Sequence, residues 1–206
     1  MTAPTIFVVD DDPSVRKSLT RLVASAGYAV EAFASAGDFL THEPFVRPCC
    51  VVLDVRMPGL TGLDLQEALG RPGHQVPIVF VTGYGDVPMS VTAMKRGAVD
   101  FLTKPLDGES LLQAIERAVT KDVKDLGEEG RSADARERVE RLTPRETEVL
   151  ARVVTGMLNK QIAGELGIAE KTVKVHRARV MGKMRAGSVA GLVRLAGLAG
   201  VSVPRS

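Results

Sequence analysis

Short runs of Val, Ile, Leu and Phe recur along the first half of the chain, each followed by an amphipathic stretch. The runs predict strands near 5–10, 28–33, 49–54, 76–82 and 98–102, and the stretches between them predict helices near 13–26, 35–41, 62–70, 87–96 and 107–119. Near-continuous apolar runs that alternate with helical periodicity are the pattern of a parallel sheet covered on both faces. The expected fold is therefore α/β, a five-stranded doubly wound sheet. Punctuation agrees: Pro13 suits a first helical turn, Gly27 a helix end, and Met57-Pro58-Gly59 a turn.

The residues at the end of each apolar run give this pattern chemical meaning. Asp10 and Asp11 come directly after Ile-Phe-Val-Val, Asp54 after Cys-Cys-Val-Val-Leu, Thr82 after Ile-Val-Phe-Val, and Lys104 after Val-Asp-Phe-Leu-Thr. The carboxyl ends of parallel strands form a ligand crevice, so all of these side chains are expected at one point. Three carboxylates crowded together repel one another unless a hard cation sits among them, and oxygen ligands with room for water suit Mg²⁺, or Mn²⁺ in its place. One aspartate would then be free to attack phosphorus, with the Lys104 ammonium and the Thr82 hydroxyl meeting the phosphoryl oxygens.

From residue 121 to 140 the chain is almost free of large apolar side chains, yet rich in helix formers and in opposite charges three or four apart. It reads as a linker: a helical extension, a break around Gly127 and Gly130, then a second helical stretch, with one continuous helix as the competing possibility. Residues 141–206 change character again. Thr143, Pro144 and Glu146 have capping-box spacing, and Gly156 and Gly167 mark turns after amphipathic helices. The short Gly167-Ile168-Ala169 connection joins two helices as helix-turn-helix units require, and the second of these is strongly basic. A further helix from Ser188 to about Ala199 carries more apolar surface than a three-helix core needs. Gly182, late in the basic helix, costs about 1 kcal/mol relative to Ala.

Charge separates the same regions. The net charge of +2 hides −4 over residues 1–120 (10 Lys and Arg, 14 Asp and Glu), −2 over 121–140 (5 and 7) and +8 over 141–206 (12 and 4). An acidic half joined to a basic half suggests a sensor attached to a polyanion binder. No apolar run reaches 18 residues and the N-terminus moves straight into a strand, so a cytoplasmic protein without membrane association is expected. Cys49 and Cys50 are adjacent, which disfavours pairing with each other, and are expected as buried reduced thiols. His42 and His74 are expected in loops or at the surface. Residues 141–206 offer neither a nucleophile with a base nor a metal cluster, which excludes an enzymatic output.

The segments VVDDDPSVR, VVLDVRMPGLTGLDL and IVFVTGYGDVPMSVTAMKRGAVDFLTKP resemble the receiver domain of two-component response regulators over about the first 120 residues. That resemblance implies Asp54 as phosphoacceptor, Asp10 and Asp11 as the acidic pair, the Arg56 backbone carbonyl as a further metal ligand, Thr82 as switch hydroxyl and Lys104 as phosphate-binding lysine. It also implies a cis Lys104-Pro105 bond, Phe101 as a rotating aromatic switch, and a signalling face on the fourth helix, fifth strand and fifth helix. Arg56 and Tyr84 would flank the phosphate entrance. LTPRETEVLARVVTGMLNKQIAGELGIAEKTVKVHRARVMGKM resembles the DNA-binding domain of the NarL and LuxR type, and the two halves together resemble FixJ-like regulators. On the matching positions Lys174 and Val175 would enter the major groove beside Ala178, with Lys171, Thr172, Arg177 and Arg179 near phosphates or flanking bases. His176 would pack or meet a phosphate.

The function this implies is a phosphorylation-controlled transcription factor. Its expected partners are a cognate sensor histidine kinase, promoter DNA, a second copy of the chain when phosphorylated, and RNA polymerase. A DNA binder indifferent to phosphate, whose first domain serves only as a dimerisation platform, is the alternative.

Overall fold

The computed structural model describes residues 3–42, 45–70, 76–83 and 87–201. His74 and Tyr84 lie outside these. The chain separates into two compact units, Met1–Leu126 and Gly127–Ser206.

The first unit alternates β1 (Thr5–Val9), α1 (Pro13–Ser25), β2 (Ala29–Phe33), α2 (Ala36–Leu40), β3 (Cys49–Leu53), α3 (Gly62–Leu69), β4 (Ile78–Thr82), α4 (Val87–Lys95), β5 (Asp100–Thr103) and the start of α5 (Gly108–Glu140). The five strands are all parallel, in the order β2-β1-β3-β4-β5. Successive side chains of a strand point to opposite faces, and the two faces are buried separately. Phe7, Val9, Val51, Leu53 and Phe80 pack with Phe39, Leu65, Leu69 and Ala93 of α2, α3 and α4. Ile6, Val8, Cys50, Val52, Val79 and Val81 pack with Leu19, Val23, Leu111 and Ile115 of α1 and α5. Burying both faces is why the central strands read as unbroken apolar runs rather than as alternation. β2 and β5, at the two edges, are the half-exposed exceptions.

Both cysteines are buried and free. Burial, and after it the Asp122 carboxylate, pushes the Cys49 thiol up to about 12, and burial raises that of Cys50 as well. Asp122 is itself fully buried, accepting from Arg47 Nε at 3.0 Å and Nη2 at 2.6 Å and from the Cys49 backbone N–H at 2.8 Å. A carboxylate removed from water needs such complete pairing.

The expected break in the linker does not occur: α5 is continuous over Gly108–Glu140, through Gly127 and Gly130. Two glycines cost about 1 kcal/mol each, and pairs one turn apart, namely Lys121 with Asp125, Asp134 with Arg138, and Glu137 with Arg141, offset part of that at about 0.2–0.5 kcal/mol each.

In the second unit α6 (Pro144–Val153), α7 (Asn159–Leu166), α8 (Glu170–Lys183) and α9 (Val189–Leu198) enclose a core of Val149, Leu150, Val153, Ile162, Val173, Val180, Met184 and Leu192. The Thr143–Glu146 capping box forms as its spacing predicts. Gly156 and Gly167 both have positive φ, +86° and +63°. At Gly167 nothing lies within 4 Å of where a Cβ would stand, so backbone conformation rather than space demands glycine between α7 and α8. Around Gly182 there is likewise open space, and nothing in the structure requires glycine there.

Candidate functional site

Register places the first cluster. Val9 stands beside Leu53 and Phe33, Leu53 beside Phe80, and Thr82 beside Thr103. The ladder continues one residue past the strands, with the Asp54 N–H donating to the Val9 carbonyl at 2.8 Å and the Lys104 N–H to the Thr82 carbonyl at 2.8 Å. Asp10, Asp54, Thr82 and Lys104 thus emerge together at the carboxyl edge of the sheet, as the spacing of the apolar runs required.

The side chains converge in turn. Carboxylate oxygens of Asp10, Asp11 and Asp54 all lie within 4.8 Å of one another. Lys104 Nζ lies 2.8 Å from Asp10 Oδ2 and 3.6 Å from Asp54 Oδ1. The second distance allows attraction but not a hydrogen bond, and buried Asp54 Oδ1 has no hydrogen-bond partner. Burial pushes the Asp54 carboxyl above its ordinary value. The Lys104 ammonium opposes this, and the charges of Asp10 and Asp11 reinforce it. An oxygen-only donor set that includes an orphaned buried oxygen fits a hard dication, which prefers oxygen ligands. Thr82 is wholly buried at the end of β4. Phe101 is half-buried, its ring 5.9 Å from that of Phe80. Arg56 is exposed on the loop after Asp54, and the Lys104-Pro105 bond is cis, as is Arg47-Pro48.

Three supporting residues are not evident from the sequence pattern. Asp12, third in the acidic run, faces the helix instead of the cluster. Its carboxylate caps α1, accepting from the Ser14 and Val15 N–H groups at 2.8 and 3.3 Å, which leaves two acids rather than three from that loop. A run of Asp followed by Pro is the N-cap signal that would have shown this. Arg16 Nη1 donates to the carbonyls of Asp10 and Asp11 at 2.7 and 3.0 Å. Gly62 opens α3, and a Cβ there would lie 2.2 Å from the Asp54 carbonyl oxygen. Glycine therefore lets α3 start directly against the backbone of Asp54.

On α8 the exposed positions include Lys171, Thr172, Lys174, Val175, Ala178 and Arg179. Lys171, Lys174, Val175 and Ala178 follow the three-and-four spacing of a single helical face, opposite buried Val173 and Val180. Val175 is 44% exposed, an apolar side chain held in solvent amid cations. Two of the helix's basic residues point elsewhere. Arg177 is half-buried and donates to Asn159 Oδ1 at 3.0 Å. Lys183 Nζ bonds Glu146 Oε2 at 2.6 Å and the Arg141 carbonyl at 3.0 Å, and with the Thr143 N–H it holds the Glu146 carboxyl down to about 2. Both lysine and arginine here join helices together, a role that charge counting does not reveal. His176 is half-buried, with no hydrogen-bond partner for its buried Nδ1.

Comparison with known proteins agrees with this geometry. Residues 6–116 match the response regulator receiver domain, and residues 140–196 match the bacterial regulatory proteins of the luxR family. The chain belongs to the response regulators of the FixJ, NarL and LuxR type. Nodulation protein W of Bradyrhizobium diazoefficiens is 48% identical over 98% of this chain and 88% of its own length. Transcriptional regulatory protein FixJ of Rhizobium meliloti is 46% identical over 95% of this chain and 96% of its own. Among solved structures, the response regulator StyR is similar with a TM-score of 0.80 and 47% identity, covering 95% of this chain and 99% of that one. Full-length FixJ from B. japonicum gives a TM-score of 0.59 and 44% identity, over 98% and 100%. As a response regulator with a DNA-binding domain, the chain is of a non-enzyme family kind.

Proposed function

We propose that this response regulator accepts a phosphoryl group on Asp54 from a sensor histidine kinase in the cytoplasm and thereby changes its grip on promoter DNA. The observation that carries the reading is the meeting of Asp10, Asp11, Asp54 and Lys104 at one sheet edge in a chain whose other unit presents a basic helix. No helix among the described residues is long and apolar enough to cross a membrane.

In the transfer, an Asp54 oxygen forms a bond to phosphorus as the phosphorus–nitrogen bond of the kinase's phosphohistidine breaks, the imidazole leaving with the electron pair. Mg²⁺ or Mn²⁺ held by Asp10, Asp11, Asp54 and the Arg56 carbonyl would supply charge neutralisation for the phosphoryl oxygens. Lys104 provides a second positive charge on the same side, and the Thr82 hydroxyl a donor from β4. Phe101, against Phe80, repacks as Thr82 turns towards the new anion, altering the face made by α4, β5 and α5. On that face Val87 is 76% exposed, with Val91 and Met94 also open.

Residues 121–140 act as the linker, and residues 141–206 bind DNA through Lys174, Val175 and Ala178 in the major groove, with Lys171, Thr172 and Arg179 at phosphates or flanking bases, while Arg177 stays on Asn159. Lys donates to base edges and the Val methyls meet a thymine methyl, while the cations set the salt-dependent share of affinity. Exposed Val189 and Val193 on α9 fit a homodimer of the phosphorylated form, positioned to recruit RNA polymerase. Incubation with acetyl phosphate and Mg²⁺, read by Phos-tag mobility, tests the first step. The wild type should shift and Asp54→Asn should not. Equal DNA affinity with and without phosphodonor would instead favour the phosphate-independent reading.

A further inference from the structure

We infer that Arg16 is the positioning residue of the acidic loop, and that its hold on two successive backbone carbonyls sets the affinity of the cluster for a divalent cation. The inference rests on the metal reading of Asp10, Asp11 and Asp54.

The two acids of the loop are held in different ways. Asp10 is anchored by its side chain: its Oδ1 accepts from the Asp12 N–H at 2.9 Å and its Oδ2 from Lys104 at 2.8 Å. The exposed Asp11 carboxylate has no hydrogen bond or ion pair of its own among the described residues, yet it stands within the 4.8 Å cluster. Its direction therefore comes from its backbone. Arg16, one turn into α1, controls that backbone, with Nη1 at 2.7 Å from the Asp10 carbonyl and 3.0 Å from the Asp11 carbonyl. One nitrogen bridging consecutive carbonyls fixes two peptide planes, and the helix beneath it is rigidly started by Pro13 at its first turn and Asp12 at its cap. Groups of this kind, one layer behind the ligands, govern metal affinity by orienting them.

Electrostatics makes the opposite prediction, which gives the test its sign. A guanidinium beside the site repels a dication, so by Coulomb's law alone its removal would tighten binding. If positioning dominates, removal weakens it. Mn²⁺ binding to the full-length protein can be followed by the electron paramagnetic resonance signal of the free ion. Arg16→Met should bind Mn²⁺ about tenfold more weakly than wild type. Arg16→Lys should recover most of the loss, because a single ammonium can bridge both carbonyls as Nη1 does. Wild-type or tighter affinity in Arg16→Met overturns the inference. Should that variant not fold, Arg16→Gln decides in its place, since its shorter neutral amide cannot span both carbonyls: weaker binding supports the inference and unchanged binding overturns it. A wild type that takes up no Mn²⁺ overturns the metal reading itself, and the Arg16 assignment with it. Thermal unfolding without added metal separates the outcomes further. A merely structural Arg16 would lower the melting temperature in Arg16→Met and leave the Mn²⁺ affinity of the folded protein alone.

Discussion

The two binding regions of this response regulator are built on opposite plans. The Asp54 cluster draws its groups from the ends of different strands and the loops after them, buries most of them, and shifts the ionisation of its central carboxyl. The face of α8 comes from a single helix, leaves its cations in water, and has its apolar contact, Val175, exposed. A small, highly charged ligand such as a phosphoryl group demands converging groups at low dielectric. A long polyanion demands a row of charges at a regular rise, which one helix supplies. Substitution should therefore act differently on the two.

The largest effect is expected at Asp54. Asp54→Asn should abolish phosphoryl uptake and every phosphate-dependent gain in DNA affinity, and an unchanged response to acetyl phosphate in a gel-shift titration would contradict the site. The same variant should be more stable than wild type at neutral pH. The raised carboxyl contributes stability that is complete below its unfolded value near 3.8 and is lost as pH rises through the folded one, so at neutral pH the buried charge is a cost. Lost function with raised melting temperature would mark the first region as strained for its chemistry.

Lys174→Ala should behave in reverse, costing about 1–3 kcal/mol of operator affinity with the melting temperature unchanged, because the side chain is exposed and its ion pair is a surface one with Glu170 one turn away. Gly62→Ala sharpens the contrast from the other side. With backbone 2.2 Å from the new Cβ, it should destabilise the first unit by about 1–3 kcal/mol and slow phosphorylation, as chemical denaturation and Phos-tag time courses would show.

In the second unit, Glu146 is the buried exception to the exposed plan. Its carboxyl is depressed from 4.5 to about 2 by Lys183 and the Thr143 N–H, so its contribution to stability is complete above 4.5 and is lost as pH falls towards 2. Acid titration of Glu146→Gln should lack that component. The smallest effect is expected for Arg179→Ala, which should weaken DNA binding about equally on all sequences and reduce the slope of log affinity against log salt by about 1.

The cluster is almost wholly legible in the order of residues because each of its members directly succeeds an apolar run. In a parallel sheet, position after a strand is equivalent to position in space. The face of α8 is legible only in part. Charge counting includes Arg177 and Lys183, which tie α8 to Asn159 and Glu146, and it is blind to the closeness required at Gly62.

The sequence by itself determined the strand order of chemistry, the caps at Pro13 and Thr143, and the turn glycines, because these depend on local periodicity and on backbone angles that few residues adopt. Only the tertiary structure decided that the Asp11 carboxylate stands with those of Asp10 and Asp54, and that Arg47 and Asp122 pair in the interior. Those outcomes balance competing partners across residues far apart in the chain, and distance in space is what settles the competition between charges.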